Sequence, residues 1–242
     1  MVFLGVRYPT PASRRVATDH GAARGFNYAP EHVGASRSSP PAPPSKPASS
    51  RDAEPRGGFR LSSLPYATDT TFVRVGAGAG DFARAKRVMQ RWGHFQLGWS
   101  EVDPDTGVAP GDPVCVCANI LGVWIRNPLK VVYNESGGGG GGGGGARGGG
   151  GRATERFTFA HGCLEGHLLA GEEAFVLERR EDDSVWYGVN TFSRPAHPLA
   201  LVGYPAVRAL QWKFARDSTR AVREGVRDAR AAESIDGDER RR

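Results

Sequence analysis

The chain contains 242 residues with a formal net charge of +6, and it is rich in glycine, with 34 residues, and in proline, with 17. The basic excess is arginine spread along the chain, without the concentrated basic patch that is typical of nucleic-acid binding. No apolar run approaches the roughly 18 residues that span a bilayer. We therefore expect no nucleic-acid partner and no transmembrane segment. These features do not predict the oligomeric state.

The cysteine content bears on the compartment. The three cysteines, Cys115, Cys117 and Cys163, are too few and odd in number for a disulfide framework, which favours a reducing environment such as the cytoplasm. The first 24 residues contain four arginines and only one acidic residue, Asp19. That pattern leaves a plastid or mitochondrial location as the alternative.

Several segments lack the apolar residues that a packed core requires. They are a Pro/Ser-rich stretch at 38–58, a glycine tract at 137–151 and a charged tail at 228–242. Burial in such segments cannot offset the entropy lost on ordering, so these three are predicted to be disordered. The leader at residues 1–25 is predicted to be poorly ordered. Residues 26–37 and 59–227 are left to form a single domain.

In chain order, the remaining sequence predicts a strand, a helix, a series of strands and a long last helix. Residues 72–75 form the first strand, and Asp81 is a suitable N-cap for a helix with Phe82 and Met89 on its apolar face. The other strands are predicted at residues 114–118, 123–125, 129–133, 156–159, 173–179 and 185–192. The last helical region begins near Leu199. Strands followed by a helix predict an α+β fold with an antiparallel sheet.

A set of short motifs resembles a known family. The motifs are Phe26-Asn27-Tyr28 followed by Val33-Gly34, then Val132-Tyr133, Gly162-Cys163-Leu164-Glu165-Gly166-His167, Gly171-Glu172-Glu173-Ala174-Phe175, and Phe192-Ser193-Arg194-Pro195-Ala196. Together they resemble the family called DUF1990 or UPF0548, found in plants and bacteria, over nearly the whole chain outside the two insertions. The resemblance implies a START-like, Bet v 1-like helix-grip fold, in which a curved antiparallel sheet surrounds a long C-terminal helix and often encloses an apolar cavity. It implies no particular reaction.

His161, Glu165 and His167 are the best candidates for acid–base chemistry. Glu165 and His167 are two residues apart, so an extended backbone places them on one face, where a carboxylate sets the tautomer of an imidazole. Glu173 is an alternative partner, and Glu172 beside it points to the opposite face of a strand. Arg194 could hold an anionic group of a substrate. The hypothesis is a cyclase, dehydratase or hydrolase. A polar, solvent-facing strand is the favoured explanation of Glu165 and the two histidines, and a buried salt bridge is the alternative to catalysis for Glu173.

Aromatic residues suggest a ligand pocket between the sheet and the last helix. The candidates are Trp186, Tyr187, Phe192, Trp212 and Phe214. They can line a pocket for a small apolar or amphipathic molecule, or they can simply fill the core. The first functional hypothesis is therefore a binding module, the second is the enzyme described above, and the third is a non-catalytic interaction protein with a filled core.

A metal site and a nucleotide site are both disfavoured. Cys115 and Cys117, with Cys163, His161 and His167, could form a zinc set, but a flat strand spreads its ligands too widely, and buried small hydrophobes are the more common role of cysteine. The loop containing Gly76, Gly78 and Gly80 has Asp81 where a dinucleotide fingerprint requires glycine, and that carboxylate would repel a phosphate. No metal and no cofactor is expected.

A basic stripe runs along the predicted last helix. It consists of Arg216, Arg220, Arg223 and Arg227. Acidic residues such as Asp217 and Glu224 lie between these arginines and weaken the field that phosphate binding needs. A solvated helix face is therefore the preferred interpretation.

Overall fold

The computed structural model describes residues 1–37, 61–138 and 152–239, with side chains described to residue 236. The predictions for the Pro/Ser-rich segment, and for the glycine tract beyond residue 138, lie outside these residues. The helices and strands are β1 (Phe3–Gly5), α1 (Pro11–Arg24), β2 (Ala67–Ala77), α2 (Gly78–Gln90), β3 (Ser100–Glu101), β4 (Pro113–Ile120), β5 (Val123–Gly138), β6 (Ala153–Cys163), β7 (Leu169–Arg180), β8 (Ser184–Pro195), α3 (Pro198–Val202) and α4 (Tyr204–Glu239).

The described strands form one antiparallel sheet in the order β2-β8-β7-β6-β5-β4-β3, with β1 paired to β5. The sheet curls around α4, which packs against β2 and β8, while α2 lies alongside α4. This arrangement confirms the predicted α+β architecture with an antiparallel sheet around a long C-terminal helix. Each predicted strand lies within an observed one, and segments 123–125 and 129–133 are joined in β5 because Asn127 and Pro128 stay paired with β4.

Residues on each strand alternate between an inner face, toward α4, and an outer face. On the inner face, the main core joins the sheet to α2 and α4 through buried residues such as Met89, Trp92 and Phe175. A β-bulge between Val131 and Tyr133 shifts the alternation in β5, so Val131 lies in the inner core and Tyr133 in an outer cluster.

The beginning of α2 differs in detail from the prediction. The helix starts at Gly78 with Ala77 as the N-cap, so Asp81 lies inside the first turn. Its carboxylate accepts a hydrogen bond from the Ala77 backbone N–H at 2.9 Å and pairs with Arg84 at 2.9 Å. Asp81 therefore accepts the hydrogen bond of the N-cap residue although it lies inside the first turn of the helix.

The leader prediction is wrong, since β1 at residues 3–5 and α1 at residues 11–24 lie within that segment. Thr10 caps α1 by accepting a hydrogen bond from the Ser13 N–H at 3.2 Å, and Pro11 occupies the first helical position. The helix packs on the outer face of β4 and β5 through small residues. At Gly21, an added Cβ would lie 2.9 Å from the Leu164 Cβ, so the packing requires glycine.

The prediction of a disordered tail from residue 228 is also wrong, because α4 continues to Glu239. Its last turns are held by ion pairs with α2. Arg230 pairs with Asp81, and Glu233 pairs with Arg84 and with Arg87, the latter at 3.0 Å. In the described parts of the chain, no helix combines the length and apolarity needed to cross a membrane.

Candidate functional site

A cavity of about 210 Å³ lies between the inner face of the sheet and the first half of α4. Its walls are mostly apolar and include Leu129, Leu210 and Phe214. Strands β4 to β8 supply one wall, and Val207 to Phe214 of α4 supply the other. The cavity exists where the side chains of α4 and of the sheet do not meet.

A polar row crosses the apolar wall on β6, β7 and β8. His161, Glu173 and Thr191 are successive partners across the three strands, so their side chains share the inner face. The His161 Nε2 lies 3.2 Å from the Glu173 Oε2, with His161 buried and the Glu173 side chain 22% exposed. Because a carboxylate only accepts hydrogen bonds, Nε2 carries the proton of a neutral His161 ring.

Aromatic rings hold the His161 side chain. It stacks on Trp92 with 6.0 Å between centroids and meets the edge of Phe175 at 5.3 Å. His94 stacks on the same Trp92 at 5.6 Å, and neither of its ring nitrogens has a hydrogen-bond partner among the described residues. Complete burial, with a smaller effect of the nearby His161, keeps the pKa of His94 well below its usual value. His94 is therefore a neutral part of the core.

His167 lines the cavity but is not paired with Glu165 or Glu173 as predicted. Strand β6 ends at Cys163, and Gly166, with a φ of 100°, turns the chain before β7. The extended backbone on which that pairing depended is thus interrupted. His167 Nδ1 instead accepts a hydrogen bond from the Leu169 N–H at 2.9 Å. Burial, followed by the proximity of His161, lowers the pKa of His167 to about 3.

Glu172 faces the outer side of the sheet, opposite to Glu173, as strand alternation predicted. Its buried carboxylate accepts hydrogen bonds from the Tyr28 hydroxyl at 2.8 Å, the Gly34 N–H at 2.6 Å, and the N–H and hydroxyl of Ser36 at 3.2 and 2.6 Å. Glu172 therefore anchors the segment at residues 26–37 and is unavailable to a ligand in the cavity.

Arg194 also lies on the outer side, since alternation along β8 places Ser193 toward the cavity. Its Nη1 donates to the backbone carbonyls of Leu61 and Ser62, and its guanidinium lies 4.9 Å from the centroid of the Tyr66 ring. Arg194 borders a second, smaller pocket of about 140 Å³ on that side, together with Glu165 and His197. His167 lines both pockets.

The four catalytic candidates His167, Glu165, Glu173 and Arg194 are consequently divided. Glu173 belongs to the cavity, Glu165 and Arg194 border the second pocket, and His167 lies between the two. The imidazole that does pair with Glu173 is His161. The proposed role of Arg194 in holding an anionic group in this cavity is not supported by its position.

Of the five candidate aromatic residues, Phe214 lines the cavity. Tyr187 is buried in the main core and its hydroxyl lies 2.7 Å from the Ser218 Oγ. Trp186 and Phe192 point outward because they alternate with Tyr187 on β8. Trp212 lies on α4 with 63% of its surface exposed. The other aromatic residues that line the cavity are Phe95 and Trp99, both from the loop after α2.

The sheet separates the residues of the hypothetical zinc set. Cys115 and Cys117 lie on the outer face beneath α1, with their sulfurs 3.8 Å apart, and Cys163 and His161 lie on the inner face. A hydrogen bond from Cys115 lowers the pKa of Cys117, whereas burial raises the pKa of Cys163. Among the residues described, no three or more His, Cys, Asp or Glu side chains are placed to hold a metal ion.

Sequence reasoning included His161 among the acid–base candidates but did not pair it with Glu173, although a signal for the pairing existed. In adjacent antiparallel strands joined by a short turn, residues at equal distances from the turn face each other. His161 and Glu173 lie six residues on either side of His167, so a hairpin centred on His167 would have paired them.

Comparison with known proteins identifies the family. The model for the domain of unknown function DUF1990 matches residues 57–221. A UPF0548 protein of Arabidopsis thaliana is 38% identical over 150 residues, covering 62% of this chain and 68% of that protein. A UPF0548 protein of Dictyostelium discoideum is 28% identical over 169 residues, covering 66% and 73%.

Solved structures are similar at low sequence identity. The Thermus thermophilus protein TTHA0849 has a TM-score of 0.44 and 11% identity, covering 68% of this chain and 99% of that one. The protein Ara h 8.0201 has a TM-score of 0.41 and 13% identity, covering 67% and 99%. Since the family model matches well over half of the sequence, as the motifs predicted, the chain belongs to the DUF1990 family.

Proposed function

We propose that this protein binds a small, largely apolar molecule with a polar group in the cavity between the sheet and α4. The observation that carries the proposal is the cavity itself, about 210 Å³ of space with apolar walls and the polar row of His161, Glu173 and Thr191 on one side. Ligand sites commonly combine mostly apolar walls with a few polar groups that fix orientation.

The wall composition supports an amphipathic ligand. Phe95 and Phe214, with 4.7 Å between their ring centroids, offer a flat apolar surface. Ser193 also lines the cavity, and its hydroxyl accepts a hydrogen bond from Gln211 on α4 at 2.8 Å. A ligand can therefore be held by apolar contact along its length and by hydrogen bonds at one end.

Titration of the purified full chain with 2-(1-naphthyl)ethanol, followed by calorimetry and native mass spectrometry, tests the proposal. We expect saturable 1:1 binding. Ala118→Phe, which fills the cavity from β4, should lower the affinity at least about 10-fold, or about 1.4 kcal/mol. Ala209→Phe is the matched control, because Ala209 is exposed on α4 and does not line the cavity. Equal affinities for the two variants, or no binding to the wild-type protein, would contradict the proposal.

The His161–Glu173 pair favours an acid–base enzyme as the second candidate function. A carboxylate that accepts a hydrogen bond from one imidazole nitrogen orients the ring and stabilises it when it takes up a proton. The test is to isolate any small molecule that copurifies with the protein and to incubate it with the wild-type protein and with His161→Gln. Conversion by the wild-type protein alone supports an enzyme, and recovery of the unchanged molecule from both leaves binding as the function.

A further inference from the structure

The cavity has an unusual charge balance. Among the described residues that line it are two carboxylates, Glu172 and Glu173, and no lysine or arginine. The carboxylate of Glu172 is turned to the outer face, where its hydrogen bonds hold residues 26–37. Glu173 is therefore the acidic group presented to the cavity, and no basic side chain of α4 reaches it there.

The position of Glu173 leaves part of its carboxylate available. His161 occupies Oε2, and the side chain keeps 22% of its surface accessible in a wall that is otherwise mostly apolar. A carboxylate next to apolar walls is stabilised by a second, positively charged partner, because opposite charges interact strongly in a region of low dielectric constant. A ligand cation is the partner that this position would favour.

Aromatic rings lie around the same space. Phe95 and Phe214 line the cavity and pack on each other. Aromatic faces attract ammonium groups, especially away from water. The combination of a carboxylate with aromatic rings is thus suited to an organic ammonium ion and unsuited to a fatty acid or another carboxylate.

The chain uses this chemistry for one of its own ammonium groups beside the cavity. The Lys213 Nζ lies 4.4 Å from the centroid of the Trp99 ring and pairs with the carboxylate of Asp217. Trp99 itself lines the cavity, and its Nε1 donates to Asp217 at 3.1 Å. An ammonium held between an aromatic ring and a carboxylate is therefore already present at the edge of the site.

We propose that the cavity selects small apolar amines, with the ligand ammonium paired to Glu173 and its apolar part lying against Phe95 and Phe214. This inference rests on the proposed function, since it names the ligand class of the same cavity. It disfavours lipophilic carboxylic acids, because the described lining of the cavity contains no lysine or arginine side chain.

Three probes of similar shape test the inference by calorimetry on the full chain: 2-(1-naphthyl)ethylamine, 2-(1-naphthyl)ethanol and 1-naphthaleneacetic acid, which are cationic, neutral and anionic at pH 7. We expect the amine to bind about 10-fold more tightly than the alcohol and the acid to bind most weakly. The net charge of +6 works against this order, because it attracts the acid non-specifically.

Glu173→Gln identifies the group responsible. The amine should lose its advantage, so the ratio of amine to alcohol affinity should fall to about 1. A circular dichroism spectrum that matches that of the wild-type protein shows that the variant is folded. Glu165→Gln is the control, because it removes a carboxylate that borders only the second pocket. Its amine affinity should equal that of the wild-type protein.

Each outcome decides the inference. If the alcohol binds and the amine binds no better, or if Glu173→Gln keeps the preference, the amine inference is overturned and the proposed function stands. If none of the three probes binds, both fail. If Glu173→Gln does not fold, the ratio of amine to alcohol affinity in the wild-type protein decides alone.

Discussion

Glu172 and Glu173 are adjacent in the sequence but belong to two very different regions, the outer and the inner face of the sheet. On the outer face, the Glu172 carboxylate is buried and fully engaged with Tyr28, Gly34 and Ser36. On the inner face, Glu173 has one imidazole partner and remains partly accessible from a cavity. Identical side chains thus serve structure on one side of a strand and the candidate site on the other.

This difference shows how the fold separates stability from function. The outer face is sealed by chain segments, with α1 over β4 and β5 and residues 26–37 over β7 and β8. The inner face is filled near α2 by the aromatic core and left open near the start of α4. A binding site can tolerate incomplete packing there because the rest of the sheet is well covered.

The largest expected effect is the difference in stability between two separate variants, in which alanine replaces Glu172 or Glu173. Glu172→Ala leaves the hydroxyl of Tyr28 and the N–H groups of Gly34 and Ser36 without their acceptor, so we expect the free energy of unfolding to fall by about 3–5 kcal/mol. Glu173→Ala should change it by no more than about 1 kcal/mol. Urea denaturation followed by circular dichroism measures both, and similar losses in the two variants would remove the distinction between the faces.

Much of this distinction was predictable from the two-residue period of a strand. Alternation alone placed Glu172 opposite Glu173 and put Cys115 and Cys117 on one face. It did not tell which face was inner, since that depends on where α2 and α4 pack. The bulge at Val131/Tyr133 also shifts the alternation in β5, and no residue type at that position predicts it.

The remaining errors have identifiable physical causes. The segment containing Glu165 and His167 was treated as extended, but Gly166 turns the chain there and separates the pair. Helix α1 was overlooked because it packs through small residues such as Ala17 and Gly21, which produce no hydrophobic stripe. The end of α4 looked like a solvated tail because its charged residues form ion pairs with α2 that only the tertiary structure reveals.

A second effect should appear on the inner face when the protein is acidified. The pKa of His167 is lowered to about 3, and burial holds that of His94 well below its usual value. In the unfolded chain, both imidazoles take up protons near pH 6.5. Below that pH the unfolded state binds more protons, so the stability present above pH 6.5 is lost as the pH falls toward 3, by up to about 1.4 kcal/mol per pH unit for each histidine.

His94→Phe isolates the contribution of one of these rings. The variant removes a buried imidazole without hydrogen-bond partners among the described residues and puts a phenyl ring beside Phe95 and Phe175. We expect a shallower loss of stability between pH 6.5 and 4, measured by urea denaturation at several pH values. Tyr28→Phe, on the outer face, should keep the slope of the wild-type protein. An unchanged slope for His94→Phe would mean that His94 is not held neutral.

The smallest expected effect concerns two aromatic residues on α4 that are two positions apart. Trp212 is 63% exposed and contacts Arg208, whose guanidinium lies 5.7 Å from the centroid of its ring, whereas Phe214 is buried and lines the cavity. Trp212→Ala should change the free energy of unfolding by no more than about 0.5 kcal/mol and leave the affinity for 2-(1-naphthyl)ethanol unchanged. Phe214→Ala is the matched comparison and should weaken both. If Trp212→Ala weakens probe binding, the ligand also contacts the exposed side of α4. The binding site then extends beyond the residues that line the cavity.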